Sequence, residues 1–388
     1  MQRSTATLRG VSQPDDIAEA VLNRDEVLRY LQGGGGRSPD EAQAAIQGYL
    51  DELRTTQRYR MYRALQHPVY PILRKIERIG ERVDVVRTAT RQGRVIYASN
   101  HKSHIDYLVQ PLVLDDNGIR PPVIAAGINL FGGALGLIHK HVTGAIPIRR
   151  ETKDPAYLVT LKAYVAESLR RTDLFLYLEG GRSYSGTLKP FKTGLLHAVA
   201  SAKRSDTVVV PTAIGYDLVL EDFILSRQQV KRTQRPFSQE VAEMIRYAVG
   251  YRSRSIVTFG DPITFDGCDP DDRRDMVRLQ RRIREAVGRC YKVFPSALIA
   301  TALRPPMERA ELEDRIDQLI DVLRSAGANL DVMTGREALD FATEPLATRG
   351  IIVVDGDRYR VRQRMVLRYY ARTIEHLFAP RRESVLTH

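Results

Sequence analysis

The chain contains no tryptophan, and its 388 residues include only two cysteines, Cys268 and Cys290. Neither has a CxxC partner or a nearby group of histidines. The sequence therefore supports neither a disulfide framework nor a zinc site, no metal is expected, and a reducing cytosol suits the chain. No apolar run reaches the ~20 residues that a spanning helix needs. The nearest, residues 123–138, is rich in glycine and interrupted by Asn129, and reads as buried loop and helix. The opening residues MQRSTATLRG carry no apolar signal-peptide stretch. Zinc-finger spacing, an RNP-like aromatic strand and a recognition helix beside a basic arm are missing as well, which sets nucleic acid aside. Positive charge, by contrast, is plentiful: 59 Lys and Arg against 47 Asp and Glu leave a formal net charge of +12. Such an excess asks for an anionic counterpart, here an anionic lipid surface or a phosphorylated substrate.

With 43% apolar residues the chain can bury a sizeable core, and its length suits two or three structural units of roughly 100–200 residues. Residues 1–84 read as a helical N-terminal accessory region. It is broken at Gly33-Gly34-Gly35-Gly36 and resumed by a helix that Ser38-Pro39-Asp40-Glu41 opens. From residue 94 onward, short β-branched apolar runs recur at 95–99, 123–126, 145–148, 174–178, 208–214 and 256–259, with helical patterns such as 156–170 and 194–203 between them. That alternation predicts an α/β domain over 85–265, with a central, largely parallel sheet flanked by helices. Arg- and Glu-rich helical patterns follow at 271–291, 308–326 and 364–377, making 266–388 a mostly helical C-terminal region. Within it, the alternation at 351–361 around Asp355-Gly356-Asp357 predicts a hairpin with a type I′ turn.

Four segments carry chemistry. Asn100-His101-Lys102-Ser103-His104-Ile105-Asp106 follows the first apolar run, at a strand end, where ligand sites of α/β sheets collect. Five residues on a regular helix amount to about 500° of rotation. His101 and Asp106 therefore meet only if His101 lies in the loop and the helix begins near Ser103, with Asp106 reaching back from its first turn. A carboxylate so placed fixes the imidazole tautomer and stabilises the imidazolium, as general-base catalysis requires. The same Ser103-x-x-Asp106 is also a capping-box pattern, and His104 fits as a merely packed neighbour. The second segment is Glu179-Gly180-Gly181-Arg182-Ser183. Its glycines allow close backbone approach, Arg182 offers a planar fork to phosphate, and Glu179 can hold that fork or accept from a substrate hydroxyl. A Gly-rich loop with a structural Arg–Glu pair accounts for it equally well. It is no nucleophile elbow, because Ser185 stands where the second Gly is required, and Lys192-Thr193 is no P-loop, because Phe191 precedes it. The third segment, Gly144-Ala145-Ile146-Pro147-Ile148-Arg149-Arg150 with Lys153, delivers cations to a strand end or forms a solvated basic turn. The fourth, 210–216, is an apolar strand whose Pro211 suggests an edge or a bulge.

In order and separation these segments resemble the motif blocks of the glycerolipid acyltransferase family: His-x-x-x-x-Asp, a strand with Arg, Glu-Gly-x-Arg-Ser, and a Val-Pro strand. Three stretches look like the glycerol-3-phosphate/dihydroxyacetone-phosphate branch rather than the lysophosphatidate branch: His101 to Tyr107, Ala125 to Leu130, and Glu179 to Ser183. Residues 295–303 and 368–376 are similar to the tail of that branch, so the resemblance runs from about 85 to the end. It implies transfer of a fatty acyl group from an acyl thioester, acyl-CoA or acyl-carrier protein, to the 1-hydroxyl of glycerol 3-phosphate. The product would be lysophosphatidate, in the first step of phospholipid synthesis, with the thioester as cosubstrate and no other cofactor. His101 would be the base and Asp106 its orienting carboxylate. Arg149, Arg150, Glu179, Gly180, Arg182, Ser183 and Lys192 would position the glycerol phosphate. Tyr184 departs from the family, which has Arg or another polar residue there, so one cation has to come from Arg149, Arg150 or Lys192. A lysolipid product and the positive charge together imply a peripheral enzyme on the cytoplasmic side of an anionic membrane. Rival readings are a dihydroxyacetone-phosphate or lysophosphatidate acyltransferase, a non-catalytic phosphate- or lipid-binding scaffold, and a serine hydrolase resting on Ser103 or Ser183.

Overall fold

Val95 and Tyr97 are buried in one apolar cluster while Ile96 and Ala98 are buried in another, so the run that precedes Asn100 has no solvent face. A strand buried on both sides belongs in the middle of a layered α/β sheet. The computed structural model describes residues 14–33, 36–58, 61, 64, 71–128, 140–149, 152–202, 204–231 and 253–378. Three helices come first, α1 (Pro14–Leu22), α2 (Asp25–Gly33) and α3 (Pro39–Leu53). The layered region follows: β1 (Ile76–Glu81), α4 (Val83–Gln92), β2 (Arg94–Ser99), α5 (Asp106–Asp116), β3 (Val123–Gly127), β4 (Ala145–Ile148), α6 (Pro155–Arg171), β5 (Leu174–Tyr177), α7 (Gly194–Ala200), β6 (Thr207–Tyr216), α8 (Asp222–Lys231), β7 (Ser253–Phe259) and β8 (Ile263–Thr264). The remainder comprises α9 (Arg273–Cys290), β9 (Lys292–Val293), α10 (Pro295–Ala302), β10 (Met307–Glu308), α11 (Arg309–Ser325), β11 (Asn329–Leu330), α12 (Gly335–Thr348), β12 (Ile352–Asp355), β13 (Arg358–Val361) and α13 (Arg364–Thr373).

The main sheet has eight strands in the order β1-β7-β6-β2-β5-β3-β4, with β8 against β6. From β6 to β4 every pairing is parallel, and the direction reverses between β6 and β7. This is the α/β layer with a largely parallel sheet that the alternation predicts. The sheet already begins at Ile76, because the half-polar IERIGE pairs in parallel with β7 across six residue pairs. The helical reading of residues 1–84 is corrected at this strand, and a second expectation is corrected in β6. Pro211 lies not on an edge but in β6, between β2 and β7. On the β7 side its missing N–H falls where the partner changes, from β8 opposite Val208 and Val209 to β7 opposite Thr212 onward.

α3 opens on the capping box written in the sequence: Ser38 accepts from the Glu41 N–H, and the Glu41 carboxylate accepts from the Ser38 N–H. The N-terminal helices are tied to α6 through charge. Arg37 donates with both terminal nitrogens to the two Asp154 oxygens, each at 2.9 Å, and Tyr49 adds a 2.6 Å bond. Arg37 above all holds the Asp154 carboxyl well below its usual range. At the other end, a single apolar cluster runs from Val95 and Tyr97 of β2 to Leu298, Tyr369 and Ile374, so the C-terminal helices share a core with the sheet. The 351–361 hairpin forms, with Asp355 opposite Arg358. Its turn is corrected from type I′, because Gly356 (φ 58°) has a positive φ and Asp357 does not, the pattern of type II′.

Candidate active site

Because β2, β3, β4, β5 and β6 run parallel, their carboxyl ends lie on one edge of the sheet; three of the predicted segments reach past the ends of β2, β4 and β5, and the fourth lies within β6. Asn100, fully buried just past β2, donates to Ile214 O (2.9 Å) and accepts from Ile214 N (2.8 Å), extending the β2–β6 pairing by one side chain. That clamp sets where the next loop departs. Helix α5 starts at Asp106 itself rather than near Ser103, and Asp106 nevertheless reaches back as the spacing requires. Its Oδ2 accepts from His101 Nδ1 (2.8 Å), Lys102 N (2.6 Å) and Ser103 N (2.9 Å), while Oδ1 accepts from Tyr216 Oη (2.7 Å). Half of the capping box is thus present, but the Ser103 hydroxyl is given to Glu221, with both carboxylate oxygens within 2.9 Å.

The His101 ring stacks on Tyr177 at 4.4 Å, and Tyr177 is held in turn by Gln110, which donates to Ser99. With Nδ1 on Asp106, a neutral imidazole carries its proton there and its lone pair on Nε2. His101 lines a cavity of about 1500 Å³ that it shares with Arg149, Arg182 and Lys192 and with the apolar side chains of Leu158, Leu161, Leu195 and Met276.

The 179–183 loop is fastened to the His101 loop by a bond from Ser183 N to His101 O (2.9 Å). Gly180 has φ +68°, and a Cβ there would lie 2.8 Å from Lys192 methylene carbons, so the loop needs glycine at this point. Arg182 is 5% exposed; its ion pair is with Glu221 (Nη1 to Oε1, 3.6 Å), and its guanidinium sits 5.6 Å from the Tyr184 ring. Glu179 therefore does not hold the Arg182 fork. The chain turns through the left-handed Gly180 between them, and Glu179 comes to the His101 backbone instead (N to Oε1, 3.4 Å). Its other oxygen is buried without a hydrogen-bond partner among the described residues. Burial pushes the Glu179 carboxyl up and the Lys102 ammonium down, and each opposes the other's shift. Lys102 donates to Gly186 O and lies 4.9 Å over the Tyr291 ring.

The remaining candidates separate. Arg149 is bound by Glu52 of α3 through Nε (2.7 Å) and Nη2, between the Tyr49 and Tyr157 rings, so the N-terminal region contributes to this rim. Arg150, and Asn129 and Leu130 of the Ala125 stretch, lie outside the described residues. Lys192 is exposed at the cavity. The Ser183 hydroxyl donates to Thr187 O (2.6 Å) and the Ser103 hydroxyl to Glu221, so neither is set beside the His101 ring as a hydrolase nucleophile would be. Asn100 and Tyr216 lie within the predicted segments without an assigned role, whereas sequence reasoning passed over Gln110, Tyr177, Glu221 and Glu52. A signal existed for two of them: Gln110 is the lone polar residue within the run YLVQPLVL, and Glu221 ends the apolar run at 218–220.

The acyltransferase family model matches residues 81–215, the stretch that holds the His101–Asp106 pair and the 179–183 loop. Residues 81–215 form an acyltransferase domain. Around this acyltransferase domain the chain is 26% identical to plsB1 of Mycobacterium tuberculosis, whose name assigns acyltransferase activity provisionally, over 95% of this chain and 64% of that protein. It is 27% identical to a glycerol-3-phosphate acyltransferase of Aeromonas hydrophila subsp. hydrophila, over 89% of this chain and 47% of that one. A glycerol-3-phosphate acyltransferase of Alteromonas mediterranea is 24% identical, over 97% of this chain and 51% of its own length. The chain thus spans about half to two thirds of the length of these relatives. Among solved structures, the 1-acyl-sn-glycerophosphate (LPA) acyltransferase PlsC of Thermotoga maritima aligns at 11% identity with a TM-score of 0.34, covering 71% of this chain and 94% of that one.

Proposed function

We propose that this protein transfers a fatty acyl group from an acyl thioester to the 1-hydroxyl of glycerol 3-phosphate, releasing lysophosphatidate and a free thiol. The observation that carries the reading is the His101–Asp106 pair, opening on a cavity that also presents Arg182, Lys192 and an apolar wall. The names of the relatives support the acceptor. In the proposed step His101 Nε2 takes the hydroxyl proton as the oxygen attacks the thioester carbonyl. A C–O bond forms, the C–S bond breaks, and the thiolate, whose conjugate thiol has a pKa near ~8.5, takes the proton back from the imidazolium. Asp106 holds the ring in the tautomer that leaves Nε2 basic, and no acyl-enzyme is needed. Arg182 and Lys192 hold the phosphate, Glu179 and Ser183 support that loop, and this ordering of two substrates supplies much of the rate.

Purified protein incubated with labelled glycerol 3-phosphate and a panel of acyl-CoA and acyl-carrier-protein thioesters is expected to yield 1-acyl lysophosphatidate. Transfer confined to dihydroxyacetone phosphate or lysophosphatidate would change the acceptor. Absence of turnover with every thioester and acceptor would overturn the reading in favour of a binding scaffold.

A further inference from the structure

Glu221 stands just past β6, outside every segment that the sequence singles out, and its carboxylate is fully buried. Oε1 accepts from His104 N (2.6 Å) and Ser103 Oγ (2.9 Å), and Oε2 lies 2.8 Å from the same hydroxyl. Oε1 is also 3.6 Å from Arg182 Nη1. One carboxylate thus joins the loop that carries the base to the arginine assigned to the phosphate. A buried carboxylate persists only when its charge is matched and its lone pairs are used, so this contact constrains all three partners at once.

The residues around Glu221 keep it in place from the far side. Ser296 of α10 donates to Asp217 O (2.6 Å). Arg349, just past α12, donates to Val219 O and Leu220 O (2.8 Å each) and to Asp222 Oδ1 (2.9 Å). Tyr370 of α13 donates to Asp222 Oδ2 (2.6 Å) and accepts from Val219 N (3.0 Å). Asp222 is buried and the Arg349 side chain that meets it is only 4% exposed, so the 217–222 segment is clamped to the C-terminal helices by charge as well as by backbone bonds.

We infer that Glu221 is a positioning residue for the proposed acyl transfer. It sets the His101 loop and the Arg182 side chain on the same acceptor molecule, and the Asp222–Arg349–Tyr370 cluster transmits that placement from the C-terminal region. The acceptor's identity rests on the proposed function; the juxtaposition does not. A glycerol phosphate has to offer its hydroxyl at one loop and its phosphate at the other, so the relative placement of the two loops enters the rate directly.

Glu221→Gln keeps the shape and removes the charge. It is expected to lower kcat/KM for glycerol 3-phosphate by about tenfold to a hundredfold, through both kcat and the acceptor KM, with the thioester KM within about twofold of wild type. Combined with Arg182→Lys, its effect should be strongly non-additive. Hydrogen exchange is expected to quicken at 100–107 and 179–187 and not in α11. Should Glu221→Gln fail to fold, Tyr370→Phe, which deletes the two hydrogen bonds of a hydroxyl outside the cavity lining, to Asp222 and from Val219 N, carries the same test at about threefold to tenfold. Wild-type acceptor kinetics with unchanged exchange would overturn the proposal, and so would exchange quickened throughout the protein, α11 included. If the wild type acylates no glycerol 3-phosphate, the proposed function falls by itself. The exchange comparison then decides alone: selective loosening of the two loops keeps the positioning role, and unchanged protection ends it.

Discussion

His101 and His104 belong to one short motif, yet it is the ring of His101 that meets Asp106, whereas His104 presents its backbone N–H to Glu221. His101→Ala is therefore expected to lower turnover by about 10²–10⁴-fold with thermal stability near wild type, and His104→Ala to be milder, as read from steady-state kinetics. Dispensable His101 with essential His104 would reverse the assignment. Arg182 is more entangled than the motif suggests, because its removal also strands the buried Glu221 carboxylate. Arg182→Ala should raise the acceptor KM at least about tenfold, leave the thioester KM nearly unchanged, and cost about 3–5 kcal/mol of stability. Arg182→Lys should recover most of the stability in urea unfolding while the acceptor KM stays high, since the ammonium lacks the planar fork.

Between elements, the contacts that decide stability are close backbone approaches and buried polar ends. Gly186 has φ +86°, and a Cβ there would lie 2.1 Å from Tyr369 O of α13, so the loop and the helix meet main chain to main chain. Gly186→Ala is expected to destabilise by about 2 kcal/mol or more, measured by urea unfolding, because both the left-handed backbone and the contact oppose it. In the turn after α13, His376 Nε2 bonds Gly288 O (3.1 Å), and the ring meets the Tyr291 ring at 4.6 Å. Burial pushes the His376 imidazole down from its ordinary 6.5 to about 4. Since the folded value is the lower one, the unfolded chain takes up the proton first. This contribution to stability is thus complete above about 6.5 and lost as pH falls towards about 4. Thermal unfolding of the wild type should show that loss, and His376→Gln should flatten this part of the profile.

For the molecule as a whole, the +12 charge is the dominant long-range property, and among the described residues no helix is long and apolar enough to cross a membrane. Arg360, Arg362, Arg364 and Arg368 are exposed along β13 and α13, and Arg360 pairs across the hairpin with the exposed Val353. Each such cation near an anionic bilayer contributes about 1 kcal/mol, an attraction that salt screens. Co-sedimentation is expected to show binding to anionic and not to neutral vesicles, released at high salt. Binding that resists salt and needs detergent would point to an inserted anchor, and no binding would assign the charge to the substrates or a protein partner.

The alternation of strands and helices from residue 94 to 259, the capping box at Ser38, and the need for His101 and Asp106 to meet through a loop were legible in the sequence, whereas the half-polar β1 was not. Each legible feature depends on residues a few positions apart, where periodicity and helical geometry act. Arg182 was legible as a planar cation of the kind that suits a phosphate, but not as the partner of Glu221. What lay beyond local reach was decided by sheet order: Tyr216 reaches Asp106 across 110 positions, Glu221 reaches His104 across 117, and Glu52 reaches Arg149 across 97. Hydrophobic patterning states which face of an element is buried, not which element lies against it. The central place of Pro211 in the sheet, and the carboxylate that joins the two loops of the site, therefore arise only when the chain is packed.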